Sequence, residues 1–113
     1  AAEQSDYPIY AHKVGSKVAG TENRGILICG SGAGMTISAN KIKGVYAALA
    51  TNPEMAGAIK KQDDVNVLVL AADYIKEEQT KDILDAWFDT EYDRQNQHQK
   101  RINQIKELEK KSD

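Results

Sequence analysis

The chain has 113 residues, of which 41% are hydrophobic and 28% charged; that composition excludes a disordered or collagen-like chain, and the length predicts one domain over residues 1–113. With 15 Lys and Arg against 17 Asp and Glu the net charge is −2, so the basic excess of a nucleic-acid binder is missing and any bound anion must be held locally. The longest apolar run, Val65 to Ala72, is broken by Asn66 and is far shorter than the roughly 20 residues of a membrane helix. A single cysteine, Cys29, excludes an internal disulfide framework and a cysteine-rich zinc site. No secretory leader is recognisable ahead of the first predicted helix, so a soluble, cytoplasmic protein without metal or other cofactor is expected.

Short apolar runs alternate with helical stretches along the chain. Asp6-Tyr7-Pro8 offers an N-cap and a first-turn proline, and Ile9, Val14 and Val18 give an apolar side to a helix over about Pro8–Ala19, closed by Gly20. Gly25 to Cys29 is apolar on both faces and too short for a helix, which marks a buried parallel strand. Met35 to Ile42 reads as a short helix, and Val45 to Ala50 as a second strand after the turn at Lys43-Gly44. Asn52 and Pro53 open a helix to about Lys61 as cap and first helical residue. Val67 to Leu70 is a third two-faced apolar strand. Lys76 to Thr90 is a longer helix with Ile83, Leu84, Trp87 and Phe88 at helical spacing, and both aromatics are expected in the core. The polar tail Gln95 to Lys111 carries Ile102, Ile105 and Leu108 as a narrow stripe, which packs on its own domain or reaches a neighbouring subunit.

This order predicts an α/β fold: a three-layer, Rossmann-like parallel sheet flanked by helices. Three strands make a thin sheet. Ala1 to Ser5 has no strand character, so the chain is expected to begin inside a larger α/β unit or to complete its sheet otherwise, and oligomerisation is expected to supply missing core.

The chemistry concentrates in Cys29-Gly30-Ser31-Gly32-Ala33-Gly34-Met35, where a strand runs into three alternate glycines and then a helix. Open α/β sheets bind ligands at the carboxyl ends of their strands, and glycines let backbone N–H groups approach an anion closely. The spacing is neither GxGxxG nor a P-loop, which favours a phosphate cradle without a nucleotide; a plain tight strand-to-helix turn fits the same pattern. Cys29 beside such a turn can be held as thiolate and act as base or nucleophile, or it can be a small buried hydrophobe. Ser31 offers a hydroxyl nearby, and Asn40 can face the site or solvent. His12 reads as a surface or half-buried residue, and His98, among Arg94, Lys100 and Arg101, as part of a solvated helix face or of a phosphate-pairing cluster.

Together with Asp6-Tyr7-Pro8, Ala39-Asn40-Lys41, Asn66-Val67-Leu68 and Ala86-Trp87, that loop resembles the ribose-5-phosphate isomerase B and galactose-6-phosphate isomerase family, and the resemblance extends over nearly the whole chain. It implies an aldose–ketose isomerase acting on a pentose or hexose phosphate through a cis-enediolate, without a metal, as a dimer or higher oligomer. Cys29 matches the family's base. Ser31 stands where Thr is common, and the amides of Gly30, Ser31, Gly32, Ala33 and Gly34 match the anion hole, with Asn40, Asp63 and Arg101 as further substrate-binding positions.

The departures from the family are specific. A His-Asn pair lent to the neighbouring subunit corresponds here to Gln62 and Asp63, and Gln62 is neither acid nor base. Two phosphate-binding arginines correspond to Gln97 and Arg101, so one cation is missing unless Arg94 or Lys100 replaces it. The first strand, with its Asp-His motif, is missing too. The resemblance therefore implies either a subunit completed by a His-bearing paralogue or a catalytically silent sugar-phosphate-binding or regulatory subunit. Neither nucleic acid nor membrane is an expected partner.

Overall fold

The structure, a computed structural model, describes residues 7–111. Along the chain it forms α1 (Tyr7–Val18), β1 (Gly25–Cys29), α2 (Ala33–Ala39), β2 (Ala47–Leu49), α3 (Pro53–Asp63), β3 (Val67–Ala71), α4 (Glu77–Asp89) and α5 (Asn96–Lys111). The strands pair in parallel in the order β1-β3-β2, with Cys29 opposite Ala71 and Leu49 opposite Val69. The expected α/β architecture is the one observed. The cap expected at Asp6 and the segment Ala1 to Ser5 lie outside the described residues.

The central strand organises the layers. Every residue of β3 is fully buried, and side chains alternate across a strand. Val67 and Val69 therefore join the core under α1 and α2, with Ala11, Val18, Leu27 and Met35. Leu68 and Leu70 join the opposite core under α3 and α4, with Ile83 and Trp87. Each such aliphatic side chain contributes about 1.5–3 kcal/mol by leaving water.

Two element boundaries differ from the sequence reading for local reasons. Helix α2 begins at Ala33, two residues early, because Gly32 takes a left-handed conformation (φ 82°) as its cap and its carbonyl accepts from the Thr36 amide at 3.0 Å. It ends at Ala39, where tighter bonds from Lys41 to Ser38 and from Ile42 to Ala39 take over. Strand β2 is shorter than Val45–Ala50 because side chains, not a strand, satisfy much of its backbone. The Asn40 amide brackets Ala47, accepting from its N–H at 2.7 Å and donating to its carbonyl at 2.9 Å. Asn66 does the same one step earlier, accepting from the Tyr46 amide at 2.8 Å and donating to the Gly44 carbonyl at 2.9 Å. At α3 the predicted cap is observed: the Asn52 side chain accepts from the Met55 amide at 2.8 Å.

Phe88 corrects the expected core. Trp87 is fully buried, but Phe88 is 52% exposed, because consecutive helical residues point about 100° apart and only one can face the sheet. The Phe88 ring instead lies edge-on to Trp87 at 5.0 Å. Lys60 on α3 is itself buried; its ammonium lies 5.0 Å from the centre of the Trp87 ring and donates to the Phe88 carbonyl at 3.4 Å. Helix α5 packs on its own domain through buried Ile102 and through Glu109, which accepts from the Gly44 amide at 3.1 Å and the Tyr46 hydroxyl at 3.3 Å, while Ile105 and Leu108 remain exposed. Burial, followed by the charge of Glu109 and its hydrogen bond, raises the Tyr46 pKa.

Asn40→Ala removes both bonds to Ala47 and is expected to cost about 1–3 kcal/mol, read as a lower urea midpoint with unchanged slope; an unaltered midpoint would refute the bracket. Burial, and secondarily Arg24, lowers the Lys60 pKa below 10.5. The unfolded chain then binds more protons than the folded one between that lowered value and 10.5, so this group makes stability rise with pH across that window. In urea titrations at several pH values, Lys60→Met is expected to lose that part of the rise; an identical pH profile in both proteins would contradict it.

Candidate active site

Cys29 is the last residue of β1, and the sheet carries pairing past it: the Ala72 amide donates to the Cys29 carbonyl at 2.7 Å and the Asp73 amide to the Gly30 carbonyl at 3.0 Å. The chain then turns back over the thiol, so that the Gly32 amide donates to Cys29 Sγ at 3.0 Å. A backbone N–H aimed at sulfur favours the anionic form of a thiol. The turn requires glycine at position 32 twice over, since φ is 82° and a β-carbon there would lie 2.6 Å from Leu49 Cδ1.

A cleft of about 970 Å³ opens over this loop, with Cys29, Gly30, Ser31 and Gly34 in its floor. Two side chains lie directly on the floor glycines. The Tyr7 ring covers Gly34, where a β-carbon would be 2.5 Å from Cε1, and the Asp73 carboxylate covers Gly30, where Oδ2 would be 2.8 Å away. The Ser31 hydroxyl accepts from the Ala33 amide at 3.4 Å.

The remaining predicted site residues stand elsewhere. Asn40 is committed to Ala47, as described above. Asp63, at the end of α3, borders a separate groove at the amino-terminal end of the strands with Arg24 and Arg94, and Arg101 is exposed on α5. Gln62 is also exposed. His12 is exposed as expected, whereas His98 departs from a solvated face: its side chain is 17% exposed, and Nδ1 lies 3.0 Å from the Asp93 carbonyl. Sequence reasoning missed Tyr7, Tyr10 and Asp73. For Asp73 a signal existed, since it lies two residues past the carboxyl end of a strand apolar on both faces. No group of three His, Cys, Asp or Glu able to hold a metal occurs among the described residues.

A parallel sheet whose edge strand delivers a thiol into a glycine turn, under an open cleft, defines a Rossmann-like protein with a cysteine-centred site. The sequence profile described as Ribose/Galactose Isomerase matches residues 1–105, and the chain belongs to that family. It is 39% identical over 111 residues to ribose-5-phosphate isomerase B of Escherichia coli, covering 97% of this chain and 74% of that protein. Among solved structures, ribose-5-phosphate isomerase B of Clostridium thermocellum superposes with a TM-score of 0.89 at 38% identity, over 95% of this chain and 72% of that one. The Mycoplasma genitalium enzyme with bound ribulose-5-phosphate gives 0.87 at 36% identity, over 92% and 69%.

Gly32→Ala should strain the turn and push on Leu49, lowering stability by about 1–3 kcal/mol. With its amide displaced from Sγ, Cys29 should be alkylated at a different rate. An unchanged alkylation profile would show that the Gly32 amide does not tune the sulfur.

Proposed function

We propose that the chain is an aldose–ketose isomerase subunit acting on ribose 5-phosphate or galactose 6-phosphate, with Cys29 as the base. The observation that carries this reading is the Gly32 amide on Cys29 Sγ at 3.0 Å, at the floor of the open cleft. In the open-chain aldose the thiolate takes the proton from C2, and the electron pair moves into a cis-enediolate. The proton then returns from sulfur to C1, while the O2 hydroxyl proton passes to O1, leaving the ketose. No electrons enter or leave, so the step balances without a redox cofactor. Ser31 and the loop amides of Gly30 to Gly34 serve as donors to the enediolate oxygens, where fixed dipoles stabilise developing charge without reorganising.

Ring opening is the weak step of this chain. It needs a proton delivered to the ring oxygen, a positioned acid is typically worth about 10²–10⁴-fold, and Gln62 can hydrogen-bond but cannot give up a proton. A homo-oligomer is therefore expected to be slow on cyclic sugars, and a His-bearing partner subunit to complete the site.

Incubation with ribose 5-phosphate in deuterated water is expected to place deuterium in the ketose product, and Cys29→Ser to abolish it. Gln62→His with Asp63→Asn is expected to raise turnover of cyclic substrate by about 10²–10⁴-fold. Turnover by the unaltered chain equal to that of the double variant would eliminate the partner requirement. No exchange, alone or with a His-bearing relative, would favour a silent sugar-phosphate-binding subunit.

A further inference from the structure

Charge in the cleft is one-sided. Among the described residues that line it, Asp73 alone carries a formal charge at neutral pH; the rest are the Cys29 thiol, tyrosines, Met35, aliphatic residues, Ser31 and glycine backbone. Among the described residues no hydrogen bond or ion pair engages the Asp73 carboxylate. Its backbone is nonetheless held. The Asp73 amide donates to the Gly30 carbonyl at 3.0 Å, and Oδ2 lies where a β-carbon on residue 30 would be 2.8 Å away. Only glycine at position 30 leaves room for the carboxylate there. An uncompensated charge lying against Gly30, the residue that follows the thiol, is an odd feature for a cleft that takes a phosphate, because a dianion placed there meets repulsion.

We propose that Asp73 is a specificity-determining residue: it keeps phosphate out of the cleft floor over Gly30, so that a sugar phosphate enters with its hydroxyl-bearing carbons beside Cys29 and its phosphate turned away. A carboxylate suits this role because it accepts hydrogen bonds from hydroxyls while repelling anions. The proposal rests on the isomerase reading for the identity of the ligand. Its electrostatic part does not.

The test exploits the single cysteine. In wild type, Asp73→Asn and Asp73→Lys, the rate of Cys29 alkylation by iodoacetate, an anion, is divided by the rate with neutral iodoacetamide. For a charge several ångström from the thiol in a solvated cleft, the quotient is expected to rise on the order of two- to fivefold per unit of charge removed, in the order Asp, Asn, Lys. High salt should compress the series. Inorganic phosphate should protect Cys29 from iodoacetamide at several-fold lower concentration in Asp73→Asn than in wild type. A quotient that is flat across the three proteins, or phosphate protection that does not improve, would overturn the proposal; a merely structural role for Asp73 would not produce a graded, salt-sensitive series. Turnover of ribose 5-phosphate is measured in parallel, with kcat and KM both expected to fall in Asp73→Asn as phosphate binds unproductively over Gly30. Turnover by none of the three proteins, alone or mixed with a His-bearing relative, would remove the isomerase reading, while the alkylation quotient would still decide whether Asp73 filters charge.

Discussion

The burial of β3 on both faces is the constraint from which the rest of the structure follows. Five consecutive residues without solvent contact demand a layer of helices on each side, and a parallel neighbour on each edge of the strand satisfies its backbone. Once β3 is central, the carboxyl ends of β1 and β3 come together, and the bonds from Ala72 to Cys29 and from Asp73 to Gly30 seal that end. The thiol and the carboxylate are thus brought to the same cleft by sheet pairing, although 44 residues of chain separate them. The glycines then have positional meaning: Gly32 turns the chain, while Gly30 and Gly34 make room for Asp73 and Tyr7.

The thinness of the sheet is offset by side chains that behave as backbone. Strand β2 has three residues and a single neighbouring strand, which leaves the Ala47 donor and acceptor facing away from β3. Asn40 supplies both partners. Asn66 performs the same service for Tyr46 and Gly44, and Glu109 reaches from α5 to the same turn. A primary amide is suited to this because it carries one donor group and one acceptor in the geometry of a peptide.

Much of this was legible in the sequence because it depends on local pattern. The two-faced apolar runs identify the strands, Asn52-Pro53 the start of α3, and the run Cys29 to Gly34 the site and the family. What was not legible depends on tertiary placement. Asn40 reads as a residue facing the site or solvent, and only the approach of Ala47 shows its structural role. Phe88 shares the apolar periodicity of Trp87, yet the sheet can cover only one side of α4. Asp73 looks like a turn residue until the pairing of β1 with β3 sets it on Gly30.

The distribution of charge bears on how a complete site can be assembled. A sugar phosphate carries close to two negative charges, and the residues lining the Cys29 cleft include no Lys, Arg or His to meet them. Arg24, Arg94 and Lys106 instead border the groove at the amino-terminal end of the strands, beside Asp63, on the far side of the sheet's long axis from the thiol. Helix amides and hydroxyls stabilise an enediolate well, since its charge is single and adjacent, but a phosphate held without a cation remains weakly bound in solvent. The thiol thus lies at the carboxyl end of the strands, while the cations of the groove at their amino-terminal end are matched there by Glu22, Asp63 and Asp64.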